Sequence, residues 1–134
     1  MAFPTSDMPL THALVVADLD RSRAWYTDVL GAELHREYCG DSSVLSFTGT
    51  WLLLVTGGEP TADKPGVTLA PPTKQDRLDH LFTIRVPDCR DAYEVLTARG
   101  ARFLTPPVQH GAETRCFFRD PDGHLFEISE YRGA

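Results

Sequence analysis

The residue with the clearest capacity for chemistry is Glu127, in the segment His124–Ser129 near the C-terminus. Alternating side chains predict a strand there, in which Glu127 shares one face with Leu125 and Ser129. A carboxylate in mid-strand beside an apolar neighbour has to be solvated, paired or bound to a ligand, because an isolated buried charge is too costly. Glu127 is therefore the residue whose partner the rest of the chain has to explain.

A tight turn, Asp120–Gly123, leads into this strand. Pro121 presets φ, Asp122 can bind its own backbone, and Gly123 accepts the left-handed conformation that tight hairpins need. The turn and the strand together predict a hairpin that positions Glu127.

Composition limits the functions open to the chain. Its 134 residues predict a single domain, and 42% apolar with 24% charged residues is typical of a globular protein. The net charge of −6 argues against nucleic acid or an anionic membrane as partner. No apolar run approaches the ~20 residues that span a bilayer, and we expect a cytoplasmic protein. Cys39, Cys89 and Cys116 follow no metal or disulfide spacing and are expected to be free thiols.

The chain repeats one order of elements, strand, helix and three strands. The first copy is predicted as strand Leu10–Val16, helix Leu19–Leu30, and strands Ala32–Tyr38, Ser43–Phe47 and Thr50–Val55. The second is predicted as strand His80–Val86, helix Cys89–Arg99, and strands Ala101–Leu104, Ala112–Phe118 and His124–Ser129. Pro- and Gly-rich sequence joins them, with one possible short strand at Val67–Leu69. Self-similarity at this period indicates a duplicated unit.

This pattern resembles the vicinal oxygen chelate superfamily, which includes glyoxalase I, extradiol dioxygenases, and fosfomycin- and bleomycin-resistance proteins. The motifs are Asp18-Leu19-Asp20-Arg21-Ser22 with Trp25-Tyr26 and Val29-Leu30-Gly31, and Arg119-Asp120-Pro121-Asp122-Gly123 with Phe126-Glu127-Ile128. The resemblance implies an α+β fold, two βαβββ modules forming a cup-shaped mixed β-sheet with helices outside. Module one is expected at about 10–57, the loop at 58–76 and module two at about 77–131. A small organic ligand would occupy the cup, and a homodimer would complete it.

The resemblance also implies a divalent metal, held on the first strand of each module, on the last strand of the first module, and by a Glu on the final strand. That Glu is Glu127, and the histidine candidates are His12 and His80. Two histidines and a carboxylate suit Fe, Mn, Ni or Zn. The alternative is that no cofactor is bound.

The spacing departs from the family pattern by one residue on each strand. The family ligand stands seven residues before the Asp that closes the strand, whereas His12 is six and His80 eight before theirs. Counting seven back reaches Thr11 and Leu81. A slip of one residue turns a side chain to the opposite face, so both histidines are predicted on the apolar, helix-side face. A β-bulge in each strand would return them to the cup.

The third family position holds Leu53, which cannot bind a metal. The residues predicted to line the cup and contact a ligand are Thr11, Leu53, Leu81, Thr83, Arg85 and Arg115. Arg85 or Arg115 could pair with Glu127, which would make the carboxylate tolerable without metal, or could hold an anionic substrate. His110 is expected in a surface loop after Pro106-Pro107.

Two functions follow. The spacing favours a metal-free binding protein similar to the bleomycin-resistance group, which takes up an apolar or cationic small molecule. The alternative is a divalent-metal-dependent lyase, isomerase or dioxygenase that uses His12, His80 and Glu127. Because the sequence has no nucleophile elbow or phosphate loop, metal-assisted chemistry with Glu127 is the mechanism left for an enzyme.

Overall fold

The computed structural model describes residues 1–38 and 40–133, so Cys39 and its predicted free thiol lie outside the described residues. The elements are β1 (Thr11–Val15), α1 (Leu19–Asp28), β2 (Glu33–Tyr38), β3 (Ser42–Phe47), β4 (Thr50–Val55), β5 (Phe82–Arg85), α2 (Cys89–Ala98), β6 (Val108–His110), β7 (Glu113–Arg119) and β8 (Leu125–Tyr131). The predicted α+β fold of two βαβββ modules is confirmed. No described helix is long and apolar enough to span a membrane.

The chain divides into two compact units, one of residues 1–27 and 31–71, the other of residues 28–30 and 72–134. Each contains a four-stranded mixed sheet, in the order β1-β4-β3-β2 in the first and β5-β8-β7-β6 in the second. In both sheets the first and last strands of the module are parallel neighbours, and the other pairings are antiparallel. The duplication seen in the sequence is thus a duplication of topology.

Each sheet has a core face that is strongly buried, and we call the opposite side its far face. The core face of the first sheet carries Leu14, Leu45, Leu52 and Leu54, and that of the second carries Cys116, Phe118, Phe126 and Ile128. The helix α2 packs on the second core face, where the Cys89 sulfur lies 3.9 Å from the Cys116 sulfur. Side chains on the far faces are the ones left to meet a ligand.

Both helices begin at the aspartates that close the preceding strands. Asp18 accepts a hydrogen bond from the Arg21 amide, and Asp88 accepts one from the Asp91 amide, each at 3.0 Å. A carboxylate in this position satisfies an amide that the first helical turn leaves without a partner. The matching caps reproduce at each helix the repeat found in the sequence.

The predicted strand at Ala101–Leu104 is wrong. Phe103 makes only an isolated bridge to Phe118, because its ring is packed between Tyr93 and Phe118 at 4.7 and 5.0 Å. The strand that follows α2 is instead β6, which comes after Pro106-Pro107. His110 is therefore the last residue of an exposed edge strand rather than part of a loop.

Residues Val67–Leu69 also do not form the possible short strand. Leu69 makes one isolated bridge to Gly58, through two backbone hydrogen bonds of 2.9 Å. The segment is otherwise the loop that its prolines and glycines predict.

Candidate functional site

Glu127 lies on the far face of the second sheet and is 8% exposed. Thr83, its neighbour across the parallel β5–β8 pair, donates a hydrogen bond of 2.8 Å from its hydroxyl to Glu127 Oε1. Arg115 brings its Nε to 3.9 Å from Glu127 Oε2. The carboxylate is therefore paired on both oxygens, by a hydroxyl on one side and a guanidinium on the other.

The turn predicted before β8 fixes the place of Glu127. The Asp120 carboxylate accepts from the amides of Asp122 and His124 at 3.0 and 2.8 Å, and the Gly123 amide donates to the Asp120 carbonyl. Gly123 has φ of 96°, which other residues rarely adopt. Arg119 closes the hairpin by donating to the Gly123 carbonyl at 3.2 Å.

A second row of far-face residues runs one step further along the sheet. Ser129 on β8 pairs in register with Arg85 on β5 and with Arg115 on β7. Arg85 lies over the Tyr131 ring, with its guanidinium carbon 5.6 Å from the ring centre. Arg115 lies over Phe117 at the same distance. The row is an arginine, a serine and an arginine, each a hydrogen-bond donor.

His80 does not join Glu127. It lies two residues before β5, and its ring contacts Phe82 edge to face at 4.8 Å. Phe82 in turn stacks on the buried Phe126 at 4.9 Å, on the core face. Thr83, the strand residue that does reach Glu127, faces the other way.

His12 lies in β1 opposite Leu52, in the same alternation as the buried Leu14. The register of β1 with β4 is continuous, and so is that of β5 with β8, so neither strand contains the bulge that would turn its histidine over. Among the described residues, no group of three or more His, Cys, Asp or Glu side chains is placed to hold a metal. As they stand, His12, His80 and Glu127 do not fit a metal site.

The other predicted ligand contacts divide between the two units. Leu53 is half-buried between Ala13 and Val44 on the far face of the first sheet, and Thr11 lies on that face at the exposed end of β1. Leu81 stands one residue before β5 and is 44% exposed. In the second unit, Thr83 and Arg115 contact Glu127, while Arg85 lies beside them in the next row.

His35 is a far-face residue that the sequence reasoning missed. The register of β2 with β3 shifts between Leu34 and Arg36, and the His35 ring lies 4.8 Å from the Trp51 ring. A bulge of this kind re-aims a side chain. No local sequence signal marks it, because β2 lacks the Gly or Pro that commonly accompany such irregularities.

Glu130 was also missed, and it caps α2 from the neighbouring strand. Its carboxylate accepts a hydrogen bond of 2.8 Å from the Cys89 amide and a further one from Arg132. These two donors, the amide first, hold the pKa of Glu130 below its usual value. Burial has the opposite effect on the thiols, raising the pKa of Cys89 and raising that of Cys116 to about 12. These groups stabilise the helix contact and lie away from the far face.

Comparison with solved structures supports the topology. The chain is 22% identical to a glyoxalase/bleomycin resistance protein/dioxygenase from Alicyclobacillus acidocaldarius, over 97% of this chain and 96% of that one, with a TM-score of 0.68. It is 22% identical to TioX from Micromonospora sp. ML1, over 92% and 98%, with a TM-score of 0.72.

A third similar structure contains a metal. A variant of the fosfomycin resistance protein FosX from Listeria monocytogenes, complexed with Mn(II) and dihydroxypropylphosphonic acid, is 20% identical over 95% of this chain and 91% of that one, with a TM-score of 0.68. At such identities the likeness concerns the fold alone.

A search of curated protein sequences found no match to this chain. The model of the Glyoxalase/Bleomycin resistance protein/Dioxygenase superfamily matches residues 10–128, which span both modules and end just after Glu127. The chain therefore belongs to the Glyoxalase/Bleomycin resistance protein/Dioxygenase superfamily.

Proposed function

We propose that this protein binds a small organic molecule without using His12, His80 and Glu127 as a metal site, in the manner expected of the bleomycin-resistance group. The observation that carries the proposal is the pairing of Glu127. Its two oxygens face the Thr83 hydroxyl at 2.8 Å and the Arg115 guanidinium at 3.9 Å. Such pairing makes a mostly buried carboxylate tolerable without a cation.

The proposed binding surface is the far face of each sheet, completed as the cup expected of the family. Thr11, Leu53 and Leu81 would supply apolar contact, and Thr83, Arg85 and Arg115 the polar contact. Small-molecule sites commonly combine a mostly apolar lining with a few convergent polar groups. We further propose one domain over residues 1–134 and a cytoplasmic homodimer.

The competing function is a metal-dependent lyase, isomerase or dioxygenase. It would require His12 and His80 to leave the side of the strands that carries Leu14 and Phe82. Both strands would have to shift by one residue, and a shift of that kind turns every side chain of the strand to the other face. The cost of burying Thr11 and exposing Leu14 argues against it.

Thermal unfolding with Mn(II), Ni(II), Zn(II) or Fe(II) tests the proposal, since a metal that binds only the folded state raises its stability. We expect no rise in Tm that depends on Glu127. The matched variants are Glu127→Gln, His12→Ala and His80→Ala, with His110→Ala, an exposed histidine, as control.

A rise of several degrees with one metal, absent from all three variants and kept in His110→Ala, would establish the metal-dependent function instead. A rise that persists in Glu127→Gln would mean that the metal binds elsewhere, and the proposal would stand.

A further inference from the structure

The Ser129 hydroxyl has an unmet hydrogen-bonding capacity. Ser129 is 1% exposed, and its Oγ has no hydrogen-bond partner among the described residues. Because buried polar atoms in native proteins are nearly always paired, such an atom calls for a partner that the folded chain itself does not supply. In-register pairing with Arg85 and Arg115 places this hydroxyl on the far face, between the two strands that carry these arginines.

The two arginines differ in how their charges are balanced. Arg115 lies 3.5 Å from a Glu113 oxygen and 3.9 Å from a Glu127 oxygen. Arg85 forms no ion pair with any described residue and only lies over the Tyr131 ring, at 5.6 Å. In the row that contains Ser129, Arg85 is therefore the arginine that has no carboxylate next to it.

We infer that the far face of the second sheet binds the carboxylate of a small organic acid, with Arg85 as the cation and Ser129 as a hydroxyl donor. Neighbouring strands lie about 4.8 Å apart, so the two donors can reach one carboxylate together. A guanidinium presents paired N–H donors that match the two oxygens of such a group. The inference rests on the proposed function, the binding of a small organic molecule, and assigns it an anionic ligand in place of the apolar or cationic one expected from the sequence.

The surrounding charges favour a carboxylate over other ionic groups. Glu113 and Glu127 stand within reach of Arg115, so a dianionic phosphate at Ser129 would meet two carboxylates, with Arg85 as the one arginine of this row that is not already paired. A cationic ligand would meet Arg85 itself, and Glu127 is already occupied by Thr83. One free cation beside one free hydroxyl matches a single negative charge. The Tyr131 and Phe117 rings, each under an arginine, offer apolar surface next to it.

Four probes that share a phenyl ring test the inference: benzoate, its neutral isostere benzamide, phenyl phosphate and benzylamine. Binding is measured by titration calorimetry and by backbone amide shifts in NMR spectra, with each probe up to about 20 mM. We expect benzoate to bind with a Kd on the order of millimolar and the other three at least about tenfold more weakly, because a hydrogen bond to a charged group discriminates by roughly that factor.

Variants of Arg85 and Ser129 test whether these two side chains contact the carboxylate of benzoate. Arg85→Gln should weaken benzoate binding about tenfold and leave benzamide unchanged, whereas Ser129→Ala should weaken benzoate by roughly threefold. Arg85→Lys, which keeps the charge but loses the fork of donors, should fall between wild type and Arg85→Gln. Arg102→Gln removes an exposed arginine of the same unit and is the control. Circular dichroism verifies that each variant is folded.

Equal binding of benzoate and benzamide, stronger binding of phenyl phosphate or benzylamine, undetectable binding of benzoate, or unchanged benzoate binding by Arg85→Gln would each overturn the inference. None of these outcomes affects the result expected from thermal unfolding with metal ions. A Glu127-dependent rise in Tm with metal would instead contradict the proposed function, whatever benzoate does.

Discussion

The two modules carry different side chains at equivalent places on their far faces. In the first sheet Ala13 pairs with Leu53, and Leu53 pairs with Val44 on its other side. In the second sheet the corresponding row is Thr83, Glu127 and Phe117.

The next row repeats the contrast. It is Val15, Val55 and Ser42 in the first sheet, and Arg85, Ser129 and Arg115 in the second. The topology is the same in both units, so the polar rows are not needed to build the sheet. They are additions made in one module, which is where ligand chemistry is to be sought.

The largest expected effect is the difference in stability lost when a residue is removed from the core face or from the far face of the second sheet. Phe118→Ala should lower the free energy of unfolding by about 3–5 kcal/mol, because the ring is fully buried and stacks near Phe126 at 5.4 Å. Phe117→Ala, one residue earlier and half-buried on the far face, should cost less than half as much. Urea unfolding of both variants gives the comparison, and equal losses would mean that the far face is as tightly packed as the core face.

The contrast between the modules is tested by giving each central far-face position the residue found at the equivalent position of the other module. Leu53→Glu should destabilise the protein by about 1–3 kcal/mol, since Ala13 and Val44 offer its carboxylate no donor side chain. Glu127→Leu should change stability by no more than about 1 kcal/mol, because the Arg115 side chain that it leaves behind is 38% exposed and keeps Glu113 at 3.5 Å. Both are measured by urea unfolding at neutral pH.

If Leu53→Glu were as stable as wild type, the apolar side chains on the far face of the first sheet would not contribute to stability. A large loss in Glu127→Leu would show that Thr83 and Arg115 depend on this carboxylate more than the pairing distances indicate.

The carboxylate cap on α2 is expected to make stability depend on pH in the second module and not in the first. Glu130 binds the Cys89 amide, whereas Thr56 stands at the equivalent position after β4. Because the pKa of Glu130 is lowered by folding, its contribution to stability is complete above the usual carboxyl pKa and is lost as the pH falls through the lower, folded value. Glu130→Gln should therefore lower Tm by several degrees at pH 7, a difference that shrinks at acid pH.

Thermal unfolding of wild type and Glu130→Gln at several pH values measures this difference. Thr56→Val, in the first module, is the matched control and should show no such pH dependence. A Tm difference between wild type and Glu130→Gln that stayed constant down to pH 2 would rule out the cap as the source.

The smallest expected effect concerns the thiols under α2. Burial raises the pKa of Cys116 to about 12, so at pH 8 almost none of this thiol is in the thiolate form. The residue is also only 1% exposed. Iodoacetamide should leave Cys116 and Cys89 unmodified in the folded protein, because the thiolate is the reacting form. Peptide mapping by mass spectrometry checks this, with the unfolded protein in urea as the positive control. Rapid labelling in the folded state would show that α2 opens from the sheet.

Local sequence was a good guide where side-chain alternation and turn chemistry decide the outcome. The turn at Asp120–Gly123 and the strand Thr50–Val55 form as predicted. Strand β6 was not predictable in the same way. Ala101–Leu104 has suitable residues, but Phe103 packs between two rings, and the strand that follows α2 begins only after the next pair of prolines.

The alternation of residues alone determined that His12 and His80 share the side of Leu14 and Phe82, and that Glu127 faces away from Phe126, because successive side chains of a strand point to opposite faces. The tertiary structure decided what Glu127 contacts, that Arg85 has no carboxylate beside it, and that the Ser129 hydroxyl has no partner among the described residues. Those properties depend on the pairing of β5 with β8, in which Thr83 lies 44 residues before Glu127, and no local pattern fixes that register.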